Sequence, residues 1–209
     1  MAGKHVVITI GRQYGSGGAE IGKQLAEKLG ISFYDKNILR INADESGIKE
    51  SYFHLADEKA GSRLLYRIVQ GLRPEKASPS FGSDLTSADN LFRFQSEVIK
   101  KLAEAESCVI IGRCADYILE GTDDLVRIHL NADLESRKEQ IKERNPEETD
   151  VLRAIRKVDR ERNDYYRYYT GRDWANSENY DLVINTTKPG ISGTVSIILA
   201  YLRSLGYEV

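Results

Sequence analysis

The sequence predicts an α/β fold built on a parallel sheet, and three observations predict it. Short runs rich in Val and Ile recur along the chain and are apolar throughout rather than alternating, the pattern of strands covered on both faces. Amphipathic helical stretches separate the runs, and strands alternating with helices assemble a parallel sheet. The first run ends in a glycine-rich loop that leads straight into a helical pattern. That order gathers backbone N–H groups and a helix N-terminus around an anion.

Taken in order, the first strand is Val6-Val7-Ile8-Thr9-Ile10, and the loop is Gly11-Arg12-Gln13-Tyr14-Gly15-Ser16-Gly17-Gly18. Ile21, Leu25, Ala26 and Leu29 recur at helical spacing and predict a helix over about 19–29. Ile31–Tyr34 is the second strand, followed by helical pieces over 36–71. Pro74 to Ser87 holds two prolines, a glycine and four serines and reads as an exposed loop. A helix over 87–105 precedes strands at Cys108–Ile111 and Leu125–Leu130. Helical pieces over 133–168, a last strand at Tyr180–Ile184 and a helix over 191–205 complete the chain.

At 209 residues with 41% apolar side chains, the chain is long enough for one domain with a real core. A net charge of −2 gives no ground for nucleic acid or an anionic membrane as partner. Cys108 and Cys114 are too few for a disulfide framework and read as reduced core thiols. No apolar run approaches the roughly eighteen residues of a membrane span, and the expected location is the cytoplasm.

The glycine loop admits two readings. As a P-loop, G-x-x-x-x-G-K-[ST], it places Gly18 in the lysine slot and Ala19 or Glu20 where a magnesium-holding hydroxyl belongs. Arg12, inside the loop, is the cation that could replace the lysine. As a dinucleotide-binding turn, Gly11-x-x-x-Gly15-x-Gly17 fits, with Asp35 as a ribose-binding acid and an NAD(P)-dependent reductase as the function. The P-loop is favoured, because no tyrosine has a lysine four residues on, as the proton-transfer pair of such reductases requires.

Residues 137–172 hold eight of the seventeen arginines, interleaved with acids. Two uses fit. One is a surface laced with i,i+4 ion pairs. The other is a lid, poor in large apolar residues and loosely packed, that brings arginine forks onto phosphates. Arg113 follows a strand at the sheet edge where α/β ligands bind. Ser16 suits either a phosphate contact or a tight turn. His129 reads as a hydrogen-bonded core histidine. Tyr165, Tyr166, Tyr168 and Tyr169 read as helix packing first, and as a base-stacking surface or a contact between copies in a homo-oligomer second. Trp174 reads as an anchor for the segment returning to the last strand. No metal-ligand spacing is present.

Several stretches resemble the cytidylate kinase-like proteins, relatives of the nucleoside monophosphate kinases: I-T-I-G-R-Q-Y-G-S-G-G, F-Y-D-K at 33–36, V-I-I-G-R-C-A-D-Y-I-L at 109–119, and D-R-E-R-N-D-Y-Y-R-Y-Y-T-G-R-D-W with N-Y-D-L between Asp159 and Leu182. The resemblance covers essentially the whole chain. It implies a P-loop kinase core of five parallel strands in a single domain over 1–209, with a helical acceptor-binding region over about 36–87 and a lid over about 133–160. It implies ATP and Mg2+ as cofactors and a small phosphorylated acceptor, most simply CMP or dCMP. The implied donor site is Gly11, Arg12, Gly15, Ser16, Gly17 and Gly18. Arg12, Arg113, Arg137, Arg144 and Arg153 are the implied catalytic cations. Asp35, Lys36, Arg40, Arg113, Asp159 and Arg162 are the implied acceptor contacts, the last two from an aspartate and an arginine three residues on. Ile111 stands where those enzymes carry an aspartate before Gly-Arg, with Asp116 the nearest substitute. A nucleotide-binding sensor without turnover is the alternative.

Overall fold

A computed structural model describes residues 4–35, 43–44, 47–48, 64, 67–68 and 88–208. The main sheet has five strands: β1 (Val7–Arg12), β2 (Ser32–Tyr34), β5 (Cys108–Ile111), β6 (Leu125–Asn131) and β7 (Leu182–Asn185). They lie in the order β2-β5-β1-β6-β7, and every pairing is parallel. A two-residue pairing of β3 (Ala43–Asp44) with β4 (Gly47–Ile48) is antiparallel. The helices are α1 (Gly18–Leu29), α2 (Ala88–Ala105), α3 (Ala115–Ile118), α4 (Leu134–Arg144), α5 (Val151–Thr170) and α6 (Gly190–Ser204).

The two faces of the sheet read directly from strand alternation. Ile8, Ile10, Val109, Ile111, Val126, Ile128 and Leu130 join Ile21 and Leu25 of α1 and Val195, Ile198 and Leu202 of α6 in one core. Val7, Cys108 and Ile110, from alternate positions, join Phe94, Val98, Ile99 and Leu102 of α2 in a second. Full burial of each such side chain is worth about 1.5–3 kcal/mol, so the central strands are fixed from both sides. β7 departs from the two-sided expectation. It is one of the two edge strands, Ile184 faces the α6 core, and Val183 on the opposite face is 40% exposed.

The helix ends have local causes. α1 stops at Gly30, whose φ of 64° is left-handed. Asp150 caps α5 by accepting from the Arg153 N–H at 3.0 Å, and Gly171 ends it with φ of 71°. The expected first and last strands shift: β1 runs on through Gly11 and Arg12, and Tyr180 and Asp181 precede β7. The short α3 was not visible as a pattern, because four residues carry too little periodicity. Most of 36–87, including the Pro74–Ser87 loop, lies outside the described residues. No described helix is long and apolar enough to cross a membrane.

Candidate functional site

A parallel sheet sends every strand's carboxyl end to one edge, and ligands of open α/β sheets bind in the crevice there. This edge carries the glycine loop after β1, Asp35 after β2, Gly112 and Arg113 after β5, and Thr186 after β7. Since β1 sits between β5 and β6, the loop lies at the middle of the edge.

The loop is shaped by its own hydrogen bonds. The Gln13 N–H donates to the Leu130 carbonyl (2.9 Å), and the Gln13 side chain accepts from the Ala132 N–H (3.2 Å). Ser16 is 1% exposed and its hydroxyl donates to the Gln13 carbonyl (2.9 Å), so it tightens the turn rather than facing a ligand. The Thr186 hydroxyl donates to the Ser16 carbonyl (3.0 Å), tying the loop to the end of β7. Gly15 and Gly17 are left-handed, with φ of 83° and 79°, which only glycine adopts cheaply. Gly17 precedes α1 without a side-chain cap. The first amides of α1 therefore keep the positive end of the helix available to an anion.

Three arginines converge beside that helix end. A Cβ on Gly18 would stand 2.8 Å from Cβ and Cγ of Arg12, so the position that the P-loop reading of the sequence assigns to lysine is filled from the side by the Arg12 stem. A Cβ on Gly112 would overlap the Arg12 guanidinium, which therefore lies across the end of β5. Burial, then Arg162, then Arg113 push the Arg12 pKa down to about 9, with Asp35 pulling the other way. Burial lowers the Arg162 pKa as well, against Asp159. Arg162 donates to the Arg12 carbonyl (2.8 Å) and lies 5.7 Å over the Tyr14 ring. Arg113 lies 5.7 Å over the Tyr165 ring, and its buried Nε has no partner among the described residues. Gly112, Arg113 and Cys114 are consecutive left-handed residues at φ of 71°, 59° and 55°. Two of them carry side chains, and such strain persists where packing over-determines it.

The expected lid differs from its forecast. Ile141 of α4 and Val151 and Ile155 of α5 form a buried cluster against Tyr14. Arg137 is 6% exposed. Its Nε donates to the Tyr14 carbonyl (2.7 Å) and its other end pairs with Asp159. Asp159 also accepts from the Tyr14 N–H (2.8 Å). The segment is thus tied to the glycine loop at Tyr14 by a few well-placed groups, while most of its other residues between 134 and 160 are half-buried or exposed. Asp159, expected at the acceptor, contacts the loop and Arg137. Arg144 and Arg153 are solvent-exposed, and neither is among the charges acting on Arg12. Lys36 and Arg40 lie outside the described residues.

Sequence reasoning missed Gln13, Tyr14 and Thr186, whose main-chain and hydroxyl roles leave no motif. It also misjudged two buried groups. His129 is buried beneath Gly11, between the Trp174 and Tyr180 rings (centroids 5.0 and 4.8 Å), but its Nδ1 lacks a hydrogen-bond partner among the described residues. Burial lowers its pKa to about 4. Asp116 accepts from the Tyr166 hydroxyl (2.7 Å), and burial raises its pKa. It is therefore an internal anchor rather than a metal-organising carboxylate. Of the other tyrosines, Tyr169 stacks on Phe92 of α2 at 3.9 Å and Tyr165 packs edge-on to it, while Tyr168 touches Tyr169 but is 70% exposed. Trp174 is buried, with its carbonyl accepting from Tyr180 (2.9 Å). No cluster of three metal-ligating side chains occurs among the described residues.

The chain matches solved structures over most of its length. An uncharacterized protein from Eubacterium ventriosum is 25% identical with a TM-score of 0.70, covering 96% of this chain and 99% of that one. A gluconokinase from Sinorhizobium meliloti shares the fold at 14% identity and a TM-score of 0.55, covering 96% and 93%. The sheet and its flanking helices are those of P-loop kinases, and the dinucleotide reading of the loop loses its support. By sequence, a cytidylate kinase from Methanobrevibacter smithii is 27% identical over 204 residues, 95% of this chain and 99% of that protein. The family model for the cytidylate kinase-like family matches residues 7–188. With the loop, the arginines and the family pattern on one continuous stretch, the chain belongs to the cytidylate kinase-like family.

Proposed function

We propose that this protein transfers the γ-phosphoryl group of ATP to a small phosphorylated acceptor, a nucleoside monophosphate, with CMP or dCMP the first to be tried. The observation that carries the reading is the convergence of Arg12, Arg113 and Arg162 beside the uncapped N-terminus of α1. Phosphoryl transfer asks little covalent chemistry of a protein; it asks for positioning and for stabilisation of charge spread over the transferred group. Cations and amides fixed before the reaction supply that stabilisation without reorganisation.

In this reading the amides from Gly15 to Gly18 hold the donor phosphates. Arg12 takes the electrostatic part of the lysine. Arg113 and Arg162 face the transferred group or the acceptor phosphate, and Asp35, with Lys36 and Arg40 after it, begins the acceptor side. Arg144 and Arg153 act only if their helices draw closer to the phosphates on binding. The described residues do not form a protein-made cage for Mg2+: Ser16 turns its hydroxyl inward and Asp116 is held by Tyr166. The ion would arrive on the nucleotide and neutralise phosphate charge there.

The test is a panel of nucleoside monophosphates with ATP and magnesium, scored for ADP. Acceptor-dependent ADP formation supports the kinase. ATP binding with no turnover on any acceptor supports the second reading, a nucleotide-binding sensor, which the filled lysine slot at Gly18 favours.

A further inference from the structure

We infer that Arg137 and Asp159 are a clamp on the Tyr14 peptide that sets the shape of the glycine loop, and that they act on the donor phosphates through that loop rather than on the acceptor. The inference rests on the kinase reading of the site. In a standard phosphate-binding loop the amides at the turn are left for the ligand. Here both polar groups of one peptide-forming residue are held by side chains from the α4–α5 pair: Asp159 accepts from the Tyr14 N–H at 2.8 Å, and Arg137 Nε donates to the Tyr14 carbonyl at 2.7 Å. The two side chains are themselves an ion pair, with Arg137 8% and Asp159 21% exposed. Desolvated charge-assisted bonds of this kind are strong and directional.

Three further observations place the clamp at the loop's turning point. Gly15, the next residue, is left-handed, and a Cβ there would stand 2.8 Å from the Arg137 carbonyl, so the α4 backbone is seated against the turn. Arg162, one helical turn beyond Asp159, donates to the Arg12 carbonyl, so one face of α5 touches the loop at both Arg12 and Tyr14. Ile141, Val151 and Ile155 bury themselves against the Tyr14 side chain and fix the approach of both helices. The turn is held in the phosphate-receiving form by protein groups before any phosphate arrives. Removing Asp159 leaves Arg137 a buried charge without its carboxylate next to the loop, which costs more than the pair contributes, and removing Arg137 frees the half-buried Asp159 to turn toward Arg162.

The experiment compares Asp159→Asn, Arg137→Lys and the double variant with the parent protein. Binding of ATP and of inorganic tripolyphosphate is measured by calorimetry, and the acceptor KM by steady-state kinetics. The expected result is a loss of ten-fold or more in both donor-side affinities in each single variant, no further loss in the double variant, and an acceptor KM within two-fold of the parent. Arg137→Lys keeps one charge but not the fork, so it weakens binding without unfolding, and melting curves verify the fold of each variant. A raised acceptor KM with donor affinity intact in Asp159→Asn overturns the clamp and returns Asp159 to the acceptor. Additive losses in the double variant also overturn it. If the parent itself binds neither ATP nor tripolyphosphate, the kinase reading fails first, and the two failures are thereby distinguished.

Discussion

Gly18 shows how a single position can make a loop look defective when it is differently built. A lysine there has nowhere to begin, because its Cβ would stand 2.8 Å from the Arg12 stem. We expect Gly18→Lys to lower stability instead of restoring a standard loop. Gly18→Ala should cost about 1–3 kcal/mol by overpacking, measured by urea denaturation. The double variant Gly18→Ala with Arg12→Ala should regain most of that stability without regaining nucleotide binding. His129 gives a second test at this scale. Its pKa in the fold is depressed to about 4 by burial, against about 6.5 in an unfolded chain. The unfolded state therefore binds the proton first as pH falls, and the His129 contribution, full above pH 6.5, is lost progressively toward pH 4. Each pKa unit corresponds to about 1.4 kcal/mol, so the loss amounts to a few kcal/mol. His129→Asn should flatten the acid side of the stability profile between those two values; an unchanged slope would mean that His129 is not buried neutral.

At the scale of elements, the strands and helices were legible because burial on two faces imposes uniform apolar runs and burial on one imposes a helical stripe. Cys108–Ile111 was read to the residue, since β5 lies between β2 and β1 and all four of its residues are buried. The lid was read less well. Its composition is that of a solvated surface, and the three apolar residues that seat it, Ile141, Val151 and Ile155, are spread over two helices and meet in a small cluster against which Tyr14 packs. Nothing in the sequence announces that meeting, nor that Asp159 reaches a main-chain amide 145 residues earlier. The structure accordingly predicts a divided exchange pattern. Amides near Ile141 and from Ile155 to Arg162 should be protected without ligand, because they are bonded within helices seated at Ile141, Ile155 and Asp159. Those of Glu147 and Thr149, exposed between the two helices, should exchange fast. Uniformly fast exchange across 134–162 in the free protein would restore the loosely packed lid. Within α5, Tyr166→Phe should cost about 1–3 kcal/mol in urea denaturation, because it removes the side-chain hydrogen bond to the buried Asp116 carboxyl and leaves it to main-chain amides.

For the molecule as a whole, the arginine cluster sets stability against ligand capture. The site was partly legible: Arg12 stood inside a glycine loop and Arg113 after a core strand, both at positions where α/β sheets bind ligands. Their mutual approach was not, because it depends on the packing of β1, β5 and α5. The consequence can be measured. Burial and the two neighbouring arginines lower the Arg12 pKa, with Asp35 acting against them, so the fold at neutral pH holds this charge at a cost that Asp35 offsets in part and a bound anion would offset further. Arg12→Met keeps most of the stem that fills the space over Gly18 and Gly112 while removing the charge. The free variant should melt at or above the temperature of the parent. ATP or inorganic tripolyphosphate at a hundred times its Kd should stabilise the parent by about 2.7 kcal/mol, seen as a rise in Tm, and should leave the variant nearly unmoved at the same concentration. Raising ionic strength should shrink the parent's ligand-induced rise, since the attraction is between charges reachable by salt. A variant that melts well below the parent, yet still shifts fully with ATP, would mean that Arg12 is a packing residue and that the anion is held by the loop amides and the other arginines alone.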